Sequence, residues 1–272
     1  MVVVALAGCK EKVVSHWFTA EKALVSFSEI EEACIRDAGN LWGKNLYGPL
    51  MFVDRTSRKI TANQPDREGL LKLKDGVYTG LYPTENIINT TTINFGGTPF
   101  GLAPLPAEED NYRIRIRGIH ALFHSFQQEK GIDPRSFNIV IMDEKEARLW
   151  MKLEWKALRK AIITEGEEQT LAIRDALIFR GSNRESYTRY SLLENNFETY
   201  EGLATFTYLL MGSDSPDEFR ARLLEYLDRI YSFQSYARSY GAIHGALYAT
   251  LLHYKGFDFK SLSPDTADLG SL

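Results

Sequence analysis

The chain is predicted to fold as an α+β protein, with a small N-terminal β lobe followed by a mainly helical lobe. Three observations carry this expectation. Between residues 46 and 106, short apolar runs alternate with turn residues, the pattern of short strands. After Asp110, apolar positions recur at three- and four-residue intervals over stretches of helical length. Apart from one helical stretch near the start, the switch between the two patterns happens once, near residue 110. Strands and helices are therefore segregated along the chain rather than alternating.

Residues 13–46 show helical spacing, with Phe18, Ala23, Leu24, Phe27, Ile30, Ala33 and Cys34 as the apolar positions. Leu50-Met51-Phe52-Val53 is an apolar strand, residues 54–58 form a turn, and residues 59–63 return as its hairpin partner. Thr91 to Phe95 alternates in polarity, Gly96-Gly97 breaks the run, and Phe100 to Leu105 continues as a further strand. Proline lacks the N–H that a sheet ladder needs, so Pro99, Pro104 and Pro106 put this last strand at a sheet edge. Residues 94–105 then either offer an edge to an extended peptide or form a plain structural hairpin. Six helical stretches follow, at 111–130, 144–163, 167–184, 192–210, 216–231 and 237–254. Asp133-Pro134, Gly166, Gly181-Ser182-Asn183, Gly212-Ser213 and Ser215-Pro216 punctuate them. The expected organisation is an N-terminal segment (1–19), a helix-plus-sheet lobe (20–110), a helical lobe (111–260) and a tail (261–272).

With 272 residues the chain can bury a sizeable core. A net charge of −4 and scattered Lys and Arg residues give no reason to expect nucleic acid as a partner. Two cysteines, Cys9 and Cys34, are too few for a disulfide framework or a thiolate zinc site. No apolar run approaches the roughly 20 residues of a membrane-spanning helix. Leu6-Ala7-Gly8-Cys9 resembles a bacterial lipobox, whose cysteine is lipidated. The apolar stretch before it is short and no Lys or Arg precedes it. Two readings stay open: an exported or periplasmic protein anchored by lipid at Cys9, or a plain terminal segment on a cytoplasmic one.

The most informative stretch is Gly118-Ile119-His120-Ala121-Leu122-Phe123-His124-Ser125-Phe126-Gln127. Histidines four apart on a helix lie one turn from each other on one face, so both rings can reach a single cation. Here Ile119, Leu122, Phe123 and Phe126 form the apolar stripe, while His120, His124 and Gln127 share another face. Catalytic zinc takes three protein ligands. Glu194, Glu198 and Glu201 fall on one face of the 192–210 stretch, and Glu201 precedes Gly202-Leu203-Ala204, small residues that permit close helix packing. Without a metal, the same residues are a histidine pair and a solvated carboxylate row.

Tyr200-Glu201-Gly202-Leu203-Ala204-Thr205-Phe206 resembles the Asn-Glu-Gly-Leu-Ala motif of gluzincin metallopeptidases, the thermolysin and aminopeptidase class. The order of further segments, at 46–54, 94–97 with 105–106, 153–158 and 245–248, extends the resemblance over about residues 20–255. It implies a zincin-like helical lobe and makes His120, His124 and Glu201 zinc ligands, with a peptide as ligand. Two departures stand out. Ala121 occupies the place of the glutamate of His-Glu-x-x-His, the general base. Tyr200 replaces the asparagine before the third ligand.

The 77 residues from His124 to Glu201 exceed the thermolysin-like interval, so two helices would be inserted there. Glu154 is a candidate acceptor for a ligand histidine's ring N–H. Tyr240, His244 and Tyr248 are candidate donors to an oxyanion, or aromatic packing. His16 and His253 have no assigned role.

Three consequences of Ala121 compete: a natural pseudoenzyme, an inactivated peptidase, or a site in which Glu198 replaces the lost base. A different class of reading is a non-catalytic protein of the bacterial envelope that binds a peptide or small molecule, its histidines being structural. A third is a helical scaffold that associates through its aromatic C-terminal half.

Overall fold

The computed structural model describes residues 17–105, 110–262 and 267–272. The lipobox-like segment with Cys9, the start of the first helical stretch with His16, and Pro106 lie outside them.

Helix α1 (Ala20–Asp37) starts where the Thr19 side chain accepts from the Lys22 N–H. It stops short of the expected residue 46. Ala38 at φ 51° and Gly39 at φ 77° turn the chain out of the helix. Its buried stripe of Ala23, Phe27, Ile30, Ala33 and Cys34 matches the expected one except at Leu24, which is exposed.

Six strands follow: β1 (Leu50–Asp54), β2 (Lys59–Ala62), β3 (Lys72–Lys74), β4 (Val77–Leu81), β5 (Thr91–Phe95) and β6 (Thr98–Leu105). They form one sheet in the order β3-β4-β2-β1-β6-β5. The β1–β2 hairpin is the expected one, with Phe52 opposite Thr61. The β3–β4 hairpin turns through Asp75-Gly76, both at positive φ, as a type I′ turn requires.

The expected edge position of 100–105 is wrong. β6 lies inside the sheet, parallel to β1 and antiparallel to β5, and β5 is the edge. Both prolines are tolerated because strand N–H groups alternate sides. The Gly101 N–H points to β1, donating to the Pro49 carbonyl. Position 99 therefore also faces β1, but β1 begins opposite Gly101; position 104 faces β5, but β5 begins, with Thr91, opposite Leu102. Each missing donor points where no neighbouring strand runs.

The helices are α2 (Asn111–Glu129), α3 (Lys145–Ile163), α4 (Gly166–Ser186), α5 (Ser191–Phe197), α6 (Leu203–Gly212), α7 (Pro216–Tyr231) and α8 (Tyr240–Tyr254). The strands precede them, which is an α+β layout. The stretch expected as one helix over 192–210 is two, α5 and α6, joined by a π turn at Glu198–Gly202. One face of the sheet, with Leu50, Phe52, Ala103 and Leu105, joins α1 and the later helices in a continuous apolar core. The other face carries a smaller cluster around Met51, Val53, Ile60, Phe100 and Leu102. Among the described residues no helix is long and apolar enough to cross a membrane.

Candidate metal centre

Asp110 starts α2 by accepting from the Arg113 N–H at 2.8 Å. Gly118 sits where α1 crosses: a Cβ there would lie 2.4 Å from Ile30. The helix is thereby pressed against α1 and the sheet through its apolar stripe. Its polar face, with His120 and His124, turns towards the π turn that joins α5 to α6.

The three residues expected as ligands come together. The Nε2 atoms of His120 and His124 are 2.9 Å apart. Glu201 Oε2 lies 3.6 Å from the first and 3.9 Å from the second. The circumcentre of these three atoms is about 2.0 Å from each, the bond length of zinc to imidazole nitrogen or carboxylate oxygen. Among the described residues this is the one group of three or more His, Cys, Asp or Glu side chains able to hold a metal ion.

The group is held from behind. His124 Nδ1 is 2.8 Å from Gln127 Oε1, while Gln127 Nε2 donates to the Tyr200 carbonyl at 3.0 Å. The amide oxygen thus faces the ring, so Nδ1 carries the proton and the Nε2 lone pair is left towards His120 Nε2 and, farther off, Glu201. Gln127 is fully buried and links α2 to the residue next to Glu201. It does what was expected of Glu154, and its place on the histidine face was the signal that could have found it. If the group holds a divalent metal, a Gln127→Leu exchange should weaken that binding about 10- to 100-fold, read by competition with a metallochromic chelator.

Burial first, and then the neighbouring His120, push His124 down to about 4. Burial opposes ionisation of Glu201, but the hydrogen bond from His120 and the charges of His124 and His120 hold it below the usual carboxylate range. At neutral pH His124 is neutral and Glu201 ionised, the states that cation binding requires. The Tyr200 ring stacks on His124 at 4.7 Å, and the Tyr208 ring lies 5.1 Å from His120. Sequence reasoning missed Tyr208, whose distance along the chain gave no signal.

The other candidates lie elsewhere. Glu198 is fully buried and bound by Arg180, at 3.0 and 2.7 Å, and by the Tyr240 hydroxyl at 3.1 Å, so it is not free to replace the missing base. Glu154 accepts from the Tyr248 hydroxyl at 2.6 Å and lies 2.9 Å from His244 Nε2. The Trp155 indole can only donate, and it binds His244 Nδ1, so the His244 proton sits on Nε2 and points to Glu154. Tyr240 and Tyr248, expected as oxyanion donors, thus bind buried carboxylates in a polar cluster among α3, α4, α8 and the π turn. His253 rests its ring against Phe206.

The π turn separates these two sets. Glu198 faces Arg180 and Glu201 faces the histidines, whereas a regular α-helix would put them on nearly one face. α8 holds the turn by backbone contact: a Cβ on Gly245 would lie 2.3 Å from the Glu198 carbonyl, and one on Gly202 would lie 2.5 Å from the Gly245 Cα. Gly245→Ala should cost about 1–3 kcal/mol in denaturant unfolding and loosen the site.

Ala121 is fully buried, with its backbone carbonyl beside Gly101 of β6, and supplies no group able to accept a proton. No protein-family model, curated protein or solved structure matches this chain.

Proposed function

We propose that the chain is a metal-binding member of the gluzincin-like metallopeptidase plan, a pseudoenzyme that binds peptides and does not hydrolyse them efficiently. The observation that carries this reading is the convergence of His120, His124 and Glu201 on one point at zinc bond length. Two imidazole nitrogens with one carboxylate oxygen suit zinc better than a hard cation such as calcium or magnesium, which takes oxygen ligands. The second supporting feature is Gln127, which fixes the tautomer of His124 as the residues behind metal-binding histidines do.

When bound, zinc would supply Lewis-acid polarisation of a peptide carbonyl. His120, His124 and Glu201 hold it, Gln127 orients His124, and Tyr200 and Tyr208 wall the rings. No side chain takes a proton at position 121. Loss of such a base removes about 10²–10⁴-fold of rate, so peptide recognition outlasts turnover. The open edge of β5, next to α2, suits an extended peptide. The envelope location belongs to the same proposal and rests on the segment ending at Cys9.

The test is metal analysis of chain purified without chelators from zinc-replete medium. One zinc per chain is expected, lost in His124→Ala. Less than about 0.2 equivalents in the parent would sink the proposal.

A further inference from the structure

We propose that the cavity beside His120 binds a carboxylate of the peptide ligand. This inference rests on the proposed metal centre for its location and on separate residues for its chemistry. The cavity, about 170 Å³, is lined by Arg113, Ile116, Arg117, His120, Tyr208 and Arg229. Arg113, Arg117 and His120 follow one another along a single face of α2, so the arginines lead directly to the cation site. Arg229 comes across from α7, where its guanidinium lies 4.7 Å from the Tyr226 ring. His120 is the shared wall between the cavity and the metal centre.

The guanidinium groups of Arg113, Arg117 and Arg229 line this space, and among the described residues no carboxylate does. Arg115 of α2 pairs with Asp214 at 3.5 Å, and on α7 Arg220 pairs with Asp217 at 2.6 Å and Arg222 with Glu218 at 3.5 Å. Among the described residues no carboxylate forms an ion pair with Arg113 or Arg229. The chain as a whole carries a net charge of −4, so the grouping is not a general basic background. Like charges gathered around a small space favour an anion within it, and guanidinium groups match the two oxygens of a carboxylate. The volume accommodates a carboxylate group. A peptide whose carbonyl meets the cation would place either its C-terminal carboxylate or an acidic side chain in this cavity.

Three thiol probes test the assignment on the zinc-loaded chain by calorimetry: mercaptoacetyl-alanine, its neutral amide, and mercaptoacetyl-aspartic amide. The thiolate seeks the cation in all three. The acid that matches the native ligand should bind about tenfold tighter than the neutral amide. A terminal carboxylate is identified if mercaptoacetyl-alanine is the tighter acid, and a side-chain carboxylate if the aspartic compound is. In Arg113→Gln/Arg229→Gln the advantage should fall below about threefold while the neutral amide is unaffected. If the neutral amide matches both acids in the parent, the inference is overturned.

A metal-free arm separates this claim from the zinc reading. Inorganic phosphate should raise the melting temperature of chelator-stripped parent more than chloride at equal ionic strength, and the double variant should lose that difference. Equal effects of phosphate and chloride on the parent overturn the inference whatever the zinc content. A phosphate effect in a chain that takes up no zinc leaves the carboxylate cavity standing and removes the metal centre, and there the phosphate arm alone decides.

Discussion

Arg180→Met is expected to lower unfolding stability by about 3–5 kcal/mol, the usual cost of leaving a buried charge without its partner. Arg180 is almost wholly buried on α4. It binds both oxygens of Glu198, at 3.0 and 2.7 Å, and Asp268 at 2.9 Å. Methionine fills similar volume, so the loss would report the charge rather than a cavity. Burial opposes ionisation of Glu198, yet the charges of Arg180 and Arg184 hold its carboxyl below the ordinary range.

A carboxyl with a depressed folded pKa contributes stability above its unfolded value and loses it as the pH falls through the folded one. Without Arg180, burial raises the same carboxyl, and protonation then relieves the folded state. The gap between parent and variant should therefore narrow from about pH 8 to about pH 5. Denaturant titrations at both pH values measure this, with a shift of roughly 10 °C in melting temperature as a second readout. Arg180→Met/Glu198→Met should recover part of the loss, since removing both partners costs less than removing one. A single-variant loss below about 1 kcal/mol would show that the pair does not hold the π turn.

What the sequence revealed and what it hid divide along physical lines. The His120–His124 pair is a local pattern, and four-residue spacing on a helix places both rings by geometry alone. The stripe of α1, the β1–β2 hairpin and the segregation of strands from helices are local in the same sense. Glu201 was reachable because its neighbours Gly202-Leu203-Ala204 signal close packing, and Gly202 does meet Gly245.

The π turn was not legible, because hydrophobic spacing alone does not reveal one added residue per turn. Glu194, Glu198 and Glu201 consequently read as a single row, whereas Glu194 and Glu198 are buried and Glu201 faces another way. The internal position of β6 was hidden for a different reason. Pro99 and Pro104 are tolerated because of where β1 and β5 begin and end, which depends on pairing and not on composition. The grouping of Arg113 and Arg117 with Arg229 is tertiary as well, so the basic residues look scattered when read in order.

Ala121→Glu is expected to raise peptide hydrolysis about 10²-fold or more over the parent, the lower part of the range for a positioned general base. On α2, position 121 follows His120 by one residue and lies beside Gly101 of β6. A glutamate there would occupy the place of the general base in His-Glu-x-x-His, the group that takes a proton from water and passes it to a leaving amine. Ala121 is enclosed, so the new carboxylate enters a tight, poorly solvated space. In metal-free protein this should cost about 1–3 kcal/mol. A nearby dication offsets that cost by attraction, so zinc should raise the melting temperature of the variant more than that of the parent. A broad panel of fluorogenic peptides measures the gain, with His124→Ala/Ala121→Glu as the control that should abolish it. If the variant binds one zinc, regains stability with it and still cleaves nothing, then the missing base is not what separates this site from a working peptidase. The arginine cavity and the walls formed by Tyr200 and Tyr208 would then have been shaped for holding a peptide rather than cutting it.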